Sequence, residues 1–163
     1  MKLIFKKLSA VPYSELIIYN SLNRIPFTLK LNNAEILPET IYSRNLSGEN
    51  FLEYRFDKAT KQLYEITLVT IQNDTIVKLP EEPLCKINDF FTCYIDEDCE
   101  LNISLPIQIL RSNNLLSFIW SNKDLDYYPI AENCIVGVDI NNNLCYVSLK
   151  NLNEDLIFDI IGF

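Results

Sequence analysis

The stretch FLEYRFDKATKQLYEITLVTI, residues 51–71, decides the fold class of this 163-residue chain. Polar and apolar residues alternate through Phe51–Asp57 and through Leu63–Ile71, and both runs are rich in aromatic and β-branched side chains. Successive side chains of a strand point to opposite faces, so this pattern predicts two strands, and the polar link Lys58–Gln62 makes them a β-hairpin. On the second strand the face with Glu65 and Thr67 is mixed, and we expect it to be partly solvated.

A second hairpin is predicted where Cys134–Ile140 and Leu144–Leu149 flank Asn141–Asn143. Asparagine tolerates the left-handed backbone angles that such turns need. Beyond it, Asn153 can cap a short helix, because the apolar residues that follow fall on one side at helical spacing: Leu156, Ile157, Ile160 and Ile161.

The rest of the chain predicts further short strands and no second domain. Tyr13–Asn23 fits a strand or a short helix equally well. We therefore expect one domain over residues 1–163, mainly β (α+β), with antiparallel sheets built from hairpins and short helices that include one at the C-terminus. The other candidate strands are Leu3–Lys6, Pro26–Leu31, Thr75–Leu79, Leu101–Ile109 and Leu115–Trp120.

Composition argues against most catalytic chemistry. The chain has no histidine and three glycines, which excludes histidine triads and dyads and glycine-rich phosphate loops. Its five cysteines contain no C-x-x-C pair, as expected for free thiols in a reducing cytosol. We therefore expect no catalytic residue, no cofactor and no metal, and a protein that is not an enzyme.

Charge is distributed unevenly along the chain. Residues 1–79 carry 10 Lys/Arg against 8 Asp/Glu, whereas residues 80–163 carry 4 against 14, so the halves have charges of +2 and −10. An acidic surface in the second half suits a basic partner, and it disfavours binding to nucleic-acid phosphates.

The densest carboxylate cluster is Tyr94–Glu100, which contains Asp96, Glu97, Asp98 and Glu100. It fits a solvated loop, a docking patch or a calcium site, although the glycine and the spaced ligands of a twelve-residue calcium loop are missing. Farther along, Asp124 and Asp126 precede Tyr127 and Tyr128, and carboxylates beside aromatic rings are typical of interfaces. Trp120 is expected in the core. The predicted partner-binding residues are Asp89, Asp96, Glu97, Asp98, Glu100, Asp124, Asp126, Tyr127 and Tyr128.

Two segments, EYRFDKATKQLYEITLVTI at Glu53–Ile71 and GVDINNNLCYVSLKNLNEDLI at Gly137–Ile157, give the chain a plan that resembles bacterial immunity proteins. These proteins neutralise toxin domains of polymorphic or contact-dependent growth inhibition systems. The resemblance implies a cytoplasmic protein whose partner is a cognate toxin domain, a nuclease acting inside cells. From the charge pattern and the predicted strands we hypothesise that the toxin is bound through an acidic face, through strand-edge pairing, or both.

Other functions remain open at this point. The chain could be an adaptor or accessory protein without a toxin partner, or, third, a carboxylate-dependent hydrolase. No membrane, nucleic-acid or small-molecule partner is expected, because no apolar stretch reaches the roughly 18 residues of a membrane helix and no ligand-binding motif occurs.

Overall fold

The computed structural model describes residues 1–19, 26–71, 76–78, 83, 85, 89–96, 101–121 and 124–161. The chain is mainly β, as the alternating patterns predict. Its elements are β1 (Leu3–Lys7), β2 (Glu15–Ile18), β3 (Phe27–Lys30), β4 (Thr40–Ser47), β5 (Asn50–Asp57), β6 (Leu63–Thr70), β7 (Ile76–Lys78), β8 (Phe91–Ile95), β9 (Asn102–Ile103), β10 (Gln108–Arg111), β11 (Leu116–Ile119), β12 (Asp126–Ala131), β13 (Cys134–Val138), β14 (Leu144–Leu149) and α1 (Glu154–Ile161).

The strands form two six-stranded sheets, each built mostly from one half of the chain. The N-terminal sheet has the order β2-β3-β6-β5-β4-β9, and the C-terminal sheet has the order β12-β13-β14-β11-β10-β7. Neighbouring strands are antiparallel except for β4 with β9 and β10 with β7. The predicted antiparallel hairpin architecture is therefore confirmed, with a short parallel pair at one edge of each sheet.

Strands β1 and β8 form an antiparallel ribbon that joins the two sheets. Lys2 bridges to Asn143 before β14, and Tyr94 bridges to Gln62 before β6. Since β14 and β6 belong to different sheets, the ribbon closes one side of the molecule with backbone hydrogen bonds on both flanks.

The inner faces of the two sheets share one hydrophobic core. The ring of Phe27 lies 5.9 Å from that of Phe118 across the interface, and Tyr54 lies 6.4 Å from Trp120. The Trp120 indole also donates a hydrogen bond of 2.8 Å to the carbonyl of Leu144, so Trp120 is a core residue, as predicted. Helix α1 adds its apolar side, with Ile157, Ile160 and Ile161 buried.

Both predicted hairpins are present, and their turns are held by aspartate side chains. Asp57 accepts hydrogen bonds from the amides of Ala59 and Thr60, at 2.7 and 3.1 Å. Asp139 does the same for Asn141 and Asn143, at 2.9 and 3.0 Å. Among the three turn asparagines only Asn142 has a positive φ, of 60°. Asn142 therefore supplies the left-handed backbone angle and Asp139 holds the turn, whereas we expected all three asparagines to shape it.

Helix α1 begins directly after Asn153, the residue predicted to cap it. The Asn153 side chain accepts a hydrogen bond of 2.8 Å from the amide of Leu156, so it satisfies a helix-end donor that would otherwise be free. The described part of the ambiguous segment Tyr13–Asn23 contains strand β2, and residues 20–23 lie outside the described residues.

One predicted strand is wrong in extent. Leu101–Ile109 divides into β9 in the N-terminal sheet and β10 in the C-terminal sheet. Polar side chains of the N-terminal sheet bind the backbone of the crossing: Ser43 donates to the carbonyl of Leu101, and Asn45 accepts from the amide of Leu105 at 3.1 Å. The chain therefore leaves one layer and enters the other before a continuous strand can form.

We expect the mixed face of β6 to be partly solvated, but its residues Glu65 and Thr67 are not. Both are buried, at 5% and 4% relative exposure, on the outer face of the N-terminal sheet. Ion pairs and hydrogen bonds with neighbouring strands cover them, which a single strand pattern does not reveal.

Candidate interaction surfaces

The fold converts the charge asymmetry of the chain into two layers. Strands β2–β6 come from the weakly basic half, whereas β10–β14 and α1 come from the acidic half. The described residues beyond position 80 include nine carboxylate residues and only two basic ones, Arg111 and Lys150. Most acidic residues of the described chain therefore lie in the elements after position 80, of which helix α1 contacts strand β2 of the N-terminal sheet.

Two of the predicted partner-binding carboxylates are paired within the fold. Lys7 forms an ion pair of 2.8 Å with Asp89, and Lys2 lies 3.9 Å from Asp96. These contacts arise because the basic strand β1 pairs with β8, which is uncharged itself but is flanked by Asp89 and Asp96. Exposed pairs of this kind add little stability, but they reduce the net negative charge that Asp89 and Asp96 offer to a partner. Glu97, Asp98 and Glu100 lie outside the described residues.

The two predicted interface tyrosines make intramolecular ring contacts. Tyr128 stacks on Phe5 with centroids 3.9 Å apart and meets Phe91 edge-on at 5.1 Å. Tyr127 meets Tyr146 edge-on at 5.2 Å, next to Gly137. Both tyrosines remain half-buried, so part of each ring reaches the surface.

Asp124 and Asp126 stand at the start of β12, where Asp124 is exposed and Asp126 is half-buried. The Phe91–Tyr128 contact places β12 beside β8. The structure therefore brings the acidic segments around Asp89 and Asp126 to adjacent strands, which the sequence left undetermined.

Sequence reasoning missed the outer face of α1. Glu154, Asp155, Phe158 and Asp159 are all exposed and lie opposite the buried isoleucines, and Phe158 keeps 54% of its surface in solvent. No basic residue occurs in the last turn. An exposed aromatic ring flanked by carboxylates has the composition of an interface centre. The same helical period that identified the apolar side would have identified this side too.

A network of charged side chains covers the outer face of the N-terminal sheet. Glu53 accepts from Arg44 Nε at 2.9 Å and from Arg55 Nε at 3.0 Å, and Arg55 Nη1 lies 2.9 Å from Glu65 Oε1. Burial lowers the pKa of Arg55, but its hydrogen bond to Glu53 and the charges of Glu65 and Glu53 raise it more, so the net shift is upward. Tyr42 lies beneath both guanidinium groups, at 5.1 and 5.5 Å.

Beside this network a cleft of about 150 Å³ opens at the edge of the N-terminal sheet. Strand β3 supplies Lys30, strand β2 supplies Glu15, and strand β6 supplies Tyr64 and Glu65. Loop residues complete its lining: Tyr13, Asn32, Asn33, Ala34 and Leu37.

The edge strands of the two sheets differ in how well they could pair with a strand from a partner. β7 and β9 have three and two residues, and β12 contains Pro129, which lacks a backbone donor. β2 has four residues without proline, and α1 contacts it. Among the described edges, β2 is thus neither very short nor interrupted by proline, but its contact with α1 counts against the strand-pairing mode that the sequence left open.

Comparison with known proteins gives no identification: no family model matches the sequence, and no curated protein matches it significantly. Within the part of the chain that the structure describes, no three His, Cys, Asp or Glu residues form a metal-binding group. No helix there has the length and apolar character to cross a membrane.

Proposed function

We propose that this protein is an immunity-type protein that binds a basic toxin domain in the cytoplasm and blocks its activity. The observation that carries the proposal is the set of exposed carboxylates just before β12 and on α1, namely Asp124, Glu154, Asp155 and Asp159. A basic surface would be attracted to these carboxylates over a long range, and complementary charge speeds such an encounter.

The exposed Phe158 gives this surface an apolar contact that charge alone would not provide. Aromatic residues enclosed by polar ones contribute much of the binding energy at protein interfaces. Glu154, Asp155 and Asp159 surround Phe158 with negative charge and favour a partner surface that combines an apolar pocket with Lys or Arg side chains. The resemblance of the two hairpin segments to immunity proteins agrees with this partner chemistry.

The test begins with the product of the reading frame that directly precedes the gene, where a toxin is expected. It is expressed with and without this protein, and growth is followed. The purified pair is then titrated by calorimetry at low and at moderate salt. We expect restored growth and an affinity that falls as salt rises.

Two double variants locate the contact: Asp124→Lys/Asp126→Lys on β12, and Phe158→Ala/Asp159→Lys on α1. The matched control Glu35→Lys/Glu49→Lys reverses two exposed carboxylates of the N-terminal half. We expect at least one of the first two variants to weaken binding by about tenfold or more, and the control to bind within about twofold of wild type. Equal weakening by all three would contradict a specific acidic face.

A further inference from the structure

We propose that two copies of this protein associate through an apolar surface that two loops form beside the N-terminal sheet. This surface, the loop patch, consists of Val11, Tyr13, Ile36 and Leu37. The proposal goes beyond toxin binding, because none of these residues belongs to β12 or α1.

The four side chains of the loop patch are exposed and lie close together. The exposed fractions are 56% for Val11, 41% for Tyr13, 86% for Ile36 and 58% for Leu37. Tyr13 and Leu37 line the same cleft, which brings the two loops together. In the segment that leads into β2, the exposed residues 11, 13 and 15 alternate with the half-buried residues 12, 14 and 16, so Val11 and Tyr13 share the outward face.

The size of the loop patch suits the centre of an interface. Its exposed fractions correspond to roughly 100 Å² for each residue and about 400 Å² together, and apolar patches of this size mark interaction sites on soluble proteins. A standard interface covers about 800 Å² of each partner and has an apolar centre within a polar rim. The loop patch would supply the centre, and the polar residues of the two loops would supply the rim.

The charges around the loop patch are balanced, which favours a second copy over a strongly charged partner. Arg55 pairs with Glu65 at 2.9 Å, and Lys58 pairs with Glu39 at 3.1 Å. The surrounding charged residues, four negative and three positive, sum to −1: Glu15, Lys30, Glu35, Glu39, Arg55, Lys58 and Glu65. Two such surfaces carry both signs and repel each other little.

The rest of the charge distribution points the same way. The chain has a net charge of −8, and the described residues after position 80 carry nine carboxylates against two basic groups. Two copies that met through those elements would repel each other. The loop patch avoids this repulsion, and the same patch on both copies gives a two-fold contact that closes at the dimer.

Salt distinguishes this association from toxin binding. Salt screens the repulsion between two acidic copies and leaves the apolar contact in place, so the dimer should tighten as salt rises. Toxin binding through opposite charges should weaken under the same change.

The experiment is sedimentation velocity of the full chain at about 5–500 µM. We expect a reversible monomer–dimer equilibrium with a Kd on the order of 10–100 µM, which tightens about twofold or more between low and moderate salt.

One matched pair of variants locates the contact. Ile36→Glu should weaken the dimer by about tenfold or more, because it buries a charge in the apolar centre. Ile140→Glu is the control, since Ile140 is 90% exposed on the turn between β13 and β14 and the substitution adds the same charge; its Kd should stay within about twofold of wild type. Leu37→Ser removes an apolar side chain without adding charge and should weaken the dimer by about threefold or more.

The proposal is overturned if the chain stays monomeric up to about 500 µM, if Ile36→Glu and Ile140→Glu weaken the dimer equally, or if the dimer loosens as salt rises. A monomeric chain whose toxin affinity falls with Ile36→Glu would assign the loop patch to the toxin interface instead. Because sedimentation uses no toxin, its failure leaves the acidic-face proposal standing, and failure of toxin binding leaves the dimer standing.

Discussion

Replacing Arg55 with methionine should destabilise the protein by about 3 kcal/mol at neutral pH. Arg55 donates to Glu53 at 3.0 Å and to Glu65 at 2.9 Å, and both carboxylate side chains are less than 10% exposed. After the substitution Glu53 keeps Arg44 at 2.9 Å, but Glu65 keeps only the Thr67 hydroxyl at 3.3 Å. The loss therefore falls mainly on Glu65, as a buried charge without its cation.

The magnitude follows from these contacts. A hydrogen bond to a charged group contributes about 1.5–3 kcal/mol, and an orphaned buried carboxylate adds a desolvation cost, which we place at the low end because Arg55 is 30% exposed. Methionine keeps most of the apolar stem, so lost packing contributes little. Urea denaturation at pH 7 measures the effect as a lower midpoint with an unchanged slope.

The double variant Arg55→Met/Glu65→Gln tests the assigned cause. Removing the charge of Glu65 should recover about 2 kcal/mol, so the two changes are not additive. Arg44→Met is the matched control, because Arg44 is 47% exposed and has one ion pair, and it should lose less than about 1 kcal/mol. The reasoning would be refuted if Arg55→Met lowered the free energy of unfolding by less than about 1 kcal/mol. It would also be refuted if the effects of Arg55→Met and Glu65→Gln simply added in the double variant.

Three other predictions test the packing by urea denaturation. Gly137→Ala should lose about 1–3 kcal/mol, because a Cβ there would lie 2.9 Å from that of Tyr146; equal stability would contradict this contact. Tyr54→Phe should gain about 1 kcal/mol, since its buried hydroxyl has no partner in the described residues; a loss would show that the hydroxyl is satisfied. Burial raises the pKa of Cys93 from 9.0 to about 12, so the unfolded chain ionises first and stability falls as pH rises above 9. Between pH 8 and 10, the free energy of unfolding of Cys93→Ala should fall by about 1.4 kcal/mol less than that of wild type. An equal fall in both proteins would exclude ionisation of the Cys93 thiol as the cause.

The hairpins and the helix were predictable because their signals are local. The alternation in β5 and β6 and the Asp57 turn lie within one short stretch, as do the Asn153 cap and the isoleucine face of α1. Each requires only the period of the chain and the chemistry of a few neighbouring residues.

Strand β4 escaped prediction because its inward side chains are polar. Ser43 and Asn45 point into the protein and bind the backbone that crosses from β9 to β10, whereas Tyr42 and Leu46 are exposed. The usual correspondence of apolar with buried is reversed along this strand. Only the position of the distant crossing segment explains the pattern.

The charged network escaped prediction for a similar reason. Glu53 and Arg55 alternate on β5, and the sequence shows that they share a face. Their ion pairs depend on the register that sets Arg55 opposite Glu65 and Glu53 opposite Arg44. Register between strands is a non-local property, so the sequence alone suggested a partly solvated face.

The measurement that tests the central proposal most directly is the affinity of this protein, at two salt concentrations, for the product of the reading frame that directly precedes its gene. We predict binding that weakens as salt rises, growth protection in cells, and a loss of about tenfold or more in at least one of the β12 and α1 variants with the control unchanged. Absence of binding at both salts together with absence of growth protection would contradict the immunity function.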